Sequence, residues 1–171
     1  CTIKKTKSGE WHITIAVEKE NSIPFTNGKE AVGIDLGINK YAALSDASIF
    51  QNKHIQKKEK RKMKRLQRII SRRRKGSHKR RSAVLNFSRK YEHIARIRED
   101  HLHKLSYNLV HSYSFIAYEE LKIENMMKNH RLARSIGEES WGNFTRMLQY
   151  KAESAGCVVV GVNPKDTTKT C

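Results

Sequence analysis

The stretch Val32-Gly33-Ile34-Asp35-Leu36-Gly37-Ile38-Asn39-Lys40-Tyr41-Ala42-Ala43-Leu44-Ser45-Asp46 decides the fold, because it joins a short apolar strand to a turn, a second strand and one isolated carboxylate. Side chains of an extended chain alternate between faces, so Val32, Ile34 and Leu36 enter a core while Gly33, Asp35 and Gly37 share the other face. Asp35 then stands between two residues without side chains. A bulky partner, such as a phosphate backbone or a hydrated cation, can approach the carboxylate there unhindered. An Asp that merely caps a turn at a strand end is the plainer alternative.

A chain of 171 residues suffices for one domain with a real core and a small appendage. Its charge is more telling. Lys and Arg number 35 against 17 Asp and Glu, a formal net charge of +18, which calls for a polyanionic partner, most simply nucleic acid. An anionic membrane surface is the competing partner, but no apolar run approaches the ~20 residues that span a bilayer and no signal-peptide pattern opens the chain. The expectation is a soluble, intracellular, cytoplasmic protein without a membrane partner. Cys1, Cys157 and Cys171 form no spaced pair, so a disulfide framework is not expected. Without an initial Met, and stopping on Cys171, the chain reads as a piece of something longer.

Residues Thr2 to Lys19 read as a β-hairpin turning at Lys7-Ser8-Gly9-Glu10, with Trp11, Ile13, Ile15 and Val17 on one face. Two strands cannot bury such a face alone, so their partners should lie upstream or in the next domain. Asn21 to Glu30, with Pro24 and Asn27-Gly28, is linker-like. From Ala31, the central stretch with Tyr41-Ala42-Ala43-Leu44 and Ile49-Phe50 predicts a three-stranded antiparallel meander. Between Lys53 and Arg81 sixteen basic residues face one acid, Glu59. Met63, Leu66, Ile69 and Ile70 recur there at helical spacing, which predicts an amphipathic helix about 33 Å long, ended by Gly76-Ser77. Val84, Phe87, Tyr91, Ile94, Leu102, Leu105 and Leu109 predict a second long helix and hence an antiparallel helical hairpin. One charge sign at this density would repel itself without an anionic ligand. Lys62, Lys64, Arg65, Arg68, Arg72, Arg73, Arg74, Lys75, Lys79, Arg80 and Arg81 are therefore the candidate nucleic-acid-binding residues. His101 and His103, two apart on a helix, do not face each other and are read as surface or packing residues.

Phe115 to Leu121 predicts another apolar strand, with Phe115, Ala117 and Glu119 on one face and Ile116, Tyr118 and Glu120 on the other. Ile123 to Ile136 reads as polar and irregular. Ser135 and Glu138 form a capping box ahead of a helix bearing Trp141, Phe144, Met147, Leu148 and Ala152, closed by Gly156. Aromatics at that spacing read as core. Cys157 to Val162 reads as a fully buried parallel strand with Cys157 an inert core thiol.

A meander followed by helix, strand, helix and strand is the layout of an RNase H-like fold, and in that fold the strands carrying Asp35 and Glu119 are neighbours. Two carboxylates within ~4 Å repel by about 4 kcal/mol at an effective dielectric of 20, so the pair implies a raised pKa or a bound cation. Oxygen ligands with several waters suit Mg²⁺ or Mn²⁺, and a pair of such ions serves phosphodiester hydrolysis. Glu119 is preferred to Glu120, a choice that depends on which face of the strand meets Asp35.

Gly33-Ile34-Asp35-Leu36-Gly37, Tyr118-Glu119-Glu120-Leu121, Lys128 to Ile136, Trp141-Gly142-Asn143-Phe144 and Thr168-Lys169-Thr170-Cys171 together resemble the RuvC-like nuclease region of the TnpB (OrfB) proteins of insertion sequences. The resemblance implies an α/β fold: an RNase H-like (RuvC) mixed sheet with flanking helices, an inserted basic helical hairpin and a residual N-terminal β-hairpin. It divides the chain into the end of a wedge-type barrel with linker (1–29), a first RuvC-like part (30–52), the basic hairpin (53–113), a second RuvC-like part (114–166) and the start of a zinc ribbon (167–171). It implies an RNA-guided DNA endonuclease related to type V CRISPR effectors and long described as a transposase, with DNA and a guide RNA as partners. Asp35 and Glu119 match the family's first two catalytic, metal-binding carboxylates for two Mg²⁺ or Mn²⁺ ions. Cys171 matches the first of four zinc ligands. The third carboxylate and the other zinc cysteines are absent, so the chain alone is expected to hold no ordered zinc and to be inactive. Asp166 precedes the ribbon and is not taken as a substitute. A non-catalytic nucleic-acid-binding transposition accessory, its acids structural, is the alternative. A basic ribosome-associated protein would explain the charge but not the paired acids.

Overall fold

A computed structural model describes residues 1–18, 30–53, 55–129 and 133–163. The linker reading around Pro24 and Asn27-Gly28, part of the Lys128 to Ile136 motif, Asp166 and the Thr168 to Cys171 segment lie outside the described residues. The chain forms two compact units, one of Cys1–Asn21 with His54–Asp100 and one of Ser22–Lys53 with His101–Cys171.

In the first unit, strands β1 (Thr2–Lys5) and β2 (Trp11–Thr14) pair antiparallel with Ile3 opposite Ile13. Gly9 takes a φ of 90° in the turn, a left-handed conformation that glycine adopts without strain. Strand β2 stops at Thr14, so Ile15 and Val17 lie beyond it, and Trp11 and Ile13 are both 65% exposed. The hairpin is held by its turn. The Glu92 carboxylate accepts hydrogen bonds from the Ser8 N–H at 3.2 Å and from the Ser8 hydroxyl, and Arg96 pairs with Glu10.

Helix α1 (Ile55–Ser71) and the 35-residue helix α2 (His78–Ser112) are the expected long helices. Helix α1 ends at Ser71, five residues before the Gly76 expected to stop it. Its last turn tightens, the Arg73 N–H reaching the Ile70 carbonyl, and like charges crowd Arg72 to Lys75. The Ser77 hydroxyl accepts from the Arg80 N–H at 3.2 Å and so starts α2. Ile70 meets Arg80 near the turn and Glu59 meets Lys90 farther out, the spacing of an antiparallel pair. The expected apolar stripe of α2 holds in part in this unit: Ile94 is buried and Phe87 half-buried, but Val84 and Tyr91 are exposed and Ala83 is buried in place of Val84. A small Ala at position 83 permits closer helix packing than the Val beside it.

The second unit is built on a mixed five-stranded sheet of order β5-β4-β3-β6-β7, where β3 is Ala31–Leu36, β4 Lys40–Leu44, β5 Ile49–Gln51, β6 Phe115–Glu119 and β7 Val158–Val162. Strands β3, β4 and β5 form the antiparallel meander, and β3, β6 and β7 run parallel. Alternation sets one covered face: Val32, Ile34, Leu36, Ile116 and Tyr118 join Leu102, Leu105 and Leu109 of α2 in the core. Helix α5 (Trp141–Ala155) adds Trp141, Phe144, Met147, Leu148 and Ala152, and the Phe144 ring meets Tyr41 edge-on at 5.5 Å.

Three expectations are corrected here. The segment after Ile123 contains short helices, α3 (Ile123–Met127) and α4 (Ala133–Glu139), because Ile123, Met126 and Ile136 have apolar surface to bury against the core. Ser135 lies inside α4 and starts no helix; α5 begins after Ser140, whose φ of 56° breaks the chain direction. Strand β7 is parallel but not fully buried: Val158, Val160 and Val162 are 56%, 40% and 42% exposed, since this edge strand is covered on the Val159 face alone. Gly37 serves the β3–β4 turn, where a Cβ would come within 2.9 Å of the Lys40 carbonyl oxygen.

Candidate functional site

Asp35 and Glu119 each stand one residue beyond the register pair Ile34–Tyr118 of the adjacent parallel strands β3 and β6. Alternation turns both away from the core. They line one cleft of about 430 Å³ together with Gly33, Ala43, Ser45, Ala117 and Val162. The walls are small or apolar, which leaves the carboxylates as the cleft's charged groups among the described residues. Ser45 is engaged, its hydroxyl accepting from the Gly33 N–H at 3.0 Å.

Glu120 lies on the opposite face. Its backbone N–H extends the β6–β7 ladder to the Val162 carbonyl at 2.9 Å, and its side chain lies over the bare Cα of Gly161, where a Cβ would overlap it. Burial, and then the Glu120 charge, push the Tyr118 phenol above its usual range, while the Gln149 amide donates to the Tyr118 oxygen at 3.0 Å. Glu119 and Glu120 both line a second cleft, of about 300 Å³, with Leu36, Lys122, Trp141, Thr145 and Asn163. Sequence reading missed this cleft. The available signal was Gly161 inside an otherwise valine strand, a mark of close approach by another group.

The donor set of the first cleft suits a hard divalent cation: two carboxylates, backbone nearby, and no sulfur or imidazole. No cluster of three or more His, Cys, Asp or Glu suited to a metal occurs among the described residues. Cys171 and its zinc reading lie outside those residues, and the Cys157 thiol is buried and raised in pKa by that burial.

The eleven basic candidates occupy α1, the turn and the first residues of α2, and ten are exposed. Arg80 is half-buried: its guanidinium donates to the Ile70 carbonyl at 2.6 Å and to the Arg73 carbonyl at 3.3 Å, capping α1. Arg81 donates to Gly76 at 3.2 Å and Lys62 pairs with Glu59 at 3.8 Å. Lys64, Arg65, Arg68 and Arg72 to Lys75 extend from the surface of this unit. No helix among the described residues is long and apolar enough to cross a membrane.

Residues 14–130 match the family OrfB_IS605, described as "Probable transposase", and residues 141–171 match "Cas12f1-like, TNB domain". The chain is 33% identical over 178 residues to "Putative RNA-guided DNA endonuclease InsQ" of Escherichia coli (strain K12), covering 95% of this chain and 44% of that protein. It is 32% identical over 162 residues to a "Putative RNA-guided DNA endonuclease" of Streptomyces pristinaespiralis, covering 95% and 40%. The chain thus spans less than half the length of these relatives. A cryo-EM structure of a Cas12f1–sgRNA–target DNA complex shares the fold, with a TM-score of 0.55 at 17% identity over 91% of this chain and 32% of that one. By the family match over most of its length, the chain belongs to the OrfB_IS605 (TnpB) family.

Proposed function

We propose that this chain supplies the RuvC-like, RNase H-type nuclease region of a metal-dependent, RNA-guided DNA endonuclease that hydrolyses phosphodiester bonds. The observation that carries the reading is the placement of Asp35 and Glu119 on neighbouring parallel strands in one open cleft. The names of its relatives support the choice of reaction and of DNA and guide RNA as partners.

Asp35 and Glu119 would hold Mg²⁺ or Mn²⁺, which supplies Lewis acidity at a phosphodiester oxygen when bound. The chain's own residues do the rest of the work. Gly33, Ala43 and Ala117 keep the approach to the carboxylates open, and the apolar wall excludes competing polar contacts. The exposed cations of α1 and its turn bind phosphates without reading bases. Two carboxylates suit one loosely held ion, and hydrolysis by a two-ion site needs a further acidic ligand. The chain alone is therefore expected to bind nucleic acid and to cleave it poorly.

The test is Mn²⁺-dependent cleavage of single-stranded DNA by a full-length protein carrying this sequence, with Asp35→Ala as control. Cleavage that disappears with Asp35→Ala supports the nuclease. Binding without any Asp35-dependent cleavage would leave the non-catalytic accessory reading in its place.

A further inference from the structure

One residue that lines the second cleft carries an unused donor. Trp141 opens helix α5, its ring is 3% exposed, and its indole Nε1–H is buried without a hydrogen-bond partner among the described residues. Leaving a buried N–H unmade costs on the order of 1–3 kcal/mol, so such a group in a cleft wall marks a place where an acceptor binds. The ring belongs to the core, as the helical spacing of Trp141 and Phe144 requires, and its unpartnered Nε1–H, sealed from solvent, meets an acceptor only where the cleft lining gives way to a ligand.

Charge selects the ligand. Glu119 and Glu120 share the wall with Trp141, and two carboxylates repel a phosphate. An uncharged group with an acceptor atom is what remains. The apolar wall of Leu36, Leu121 and Ile123 suits a flat, weakly hydrated ring, and about 300 Å³ is room for one. Exposed Lys122 at the rim can pair with a phosphate that stays outside. Glu119 lines both clefts, so a strand with one phosphate bridged by a cation to Asp35 and Glu119 presents its neighbouring nucleotide to Trp141.

We propose that the cleft between the end of β6 and the start of α5 receives one unstacked base of single-stranded DNA, next to the phosphate that a divalent cation would bridge to Asp35 and Glu119, with Trp141 Nε1–H donating to a base carbonyl. Proteins that act on single strands commonly splay a base into an aromatic pocket and read its edge. Trp141 is thus a positioning residue. Gly161 has a matching part: its missing Cβ lets the Glu120 side chain lie back over β7 and keeps the cleft open. The placement beside a scissile phosphate rests on the proposed nuclease reading; occupation of the cleft by a base does not.

The experiment uses the 171-residue chain in EDTA, where no cleavage occurs. Affinity is measured for a twelve-residue oligothymidylate and for an abasic strand with the same number of phosphates. Trp141→Phe, which keeps an aromatic ring at the position and removes the donor, should weaken the thymidylate strand about 5-fold, the size of one hydrogen bond, and leave the abasic strand unchanged. With Trp11→Phe, Trp141 is the remaining tryptophan, and its emission should respond to thymidylate but not to the abasic strand. Equal loss on both strands, or no loss on either, overturns the proposal. Should Trp141→Phe fail to fold, Gly161→Ala, which pushes Glu120 into the cleft, must give the same base-selective loss, and its absence overturns the idea equally. An Asp35→Ala background separates the two readings: it removes the cleavage function and should leave the base-selective difference in place.

Discussion

Asp35 of β3 and Glu119 of β6 occupy equivalent positions on two parallel strands, while Glu120, one residue on, turns to the other face and lies over Gly161. In full-length protein Asp35→Ala or Glu119→Ala should each lower Mn²⁺-dependent cleavage by about 10³-fold or more, and the double variant little further, because ligands of one site act as a unit. Glu120→Gln should cost far less than Glu119→Gln. A Glu120 effect equal to that of Glu119 would move the site to the second cleft.

The basic residues divide into two groups. Replacing Arg72, Arg73 and Arg74 together by Ala should flatten the log–log salt dependence of duplex DNA binding by roughly 2.7, about 0.9 for each phosphate that is no longer neutralised, without changing thermal stability. Arg80→Ala should behave differently. Its guanidinium caps α1 at the Ile70 carbonyl, so it should destabilise the first unit by about 1 kcal/mol. Thermal melting beside salt titration separates the two effects, and an unchanged salt slope in the triple variant would remove the turn from the interface.

The sheet and the acid pair were legible because strand alternation is a local signal: Val32, Ile34 and Leu36 point one way and Asp35 the other whatever packs above them. The helix stripe of α5 and its Gly156 stop were legible for the same reason. Coverage by other elements was not. Val158 to Val162 has the composition of a central strand, and its place at the sheet edge leaves three valines exposed. The break at Ser140 carries no Gly or Pro, and α1 ends at Ser71 through interactions with Arg80, nine positions on. Helical spacing identifies Trp141 as a core residue; its unpartnered N–H follows from which neighbours surround it.

Acid should loosen the N-terminal hairpin. The Ser8 hydroxyl and N–H hold the Glu92 carboxyl below its ordinary 4.5, and Arg96 does the same to Glu10. A depressed folded pKa means that the contribution is complete above about 4.5 and disappears as pH falls through the lower folded value. The protection factor of the Ser8 amide against exchange should therefore fall in that window. Glu92→Gln should flatten this dependence and leave the part due to Glu10; an acid response identical to wild type would show that Glu92 does not anchor the turn.

Divalent cation binding can be read without any cleavage. Two carboxylates facing one cleft repel when both are ionised, and a cation that binds the folded state alone adds RT ln(1 + [L]/Kd) to stability. At 10 mM Mn²⁺ and a dissociation constant near 1 mM this is on the order of 1.4 kcal/mol, a rise of a few degrees in the melting temperature for a unit of this size. Asp35→Asn should abolish the rise. Without metal it should melt no lower than wild type, since the substitution keeps shape and removes the repulsion. Glu119→Gln should repeat both results, and Glu153→Gln, on the exposed surface of α5, should show the full Mn²⁺ response. A rise that survives Asp35→Asn would place the cation elsewhere, and a lower melting point for Asp35→Asn without metal would show that the carboxylate serves the fold rather than a ligand.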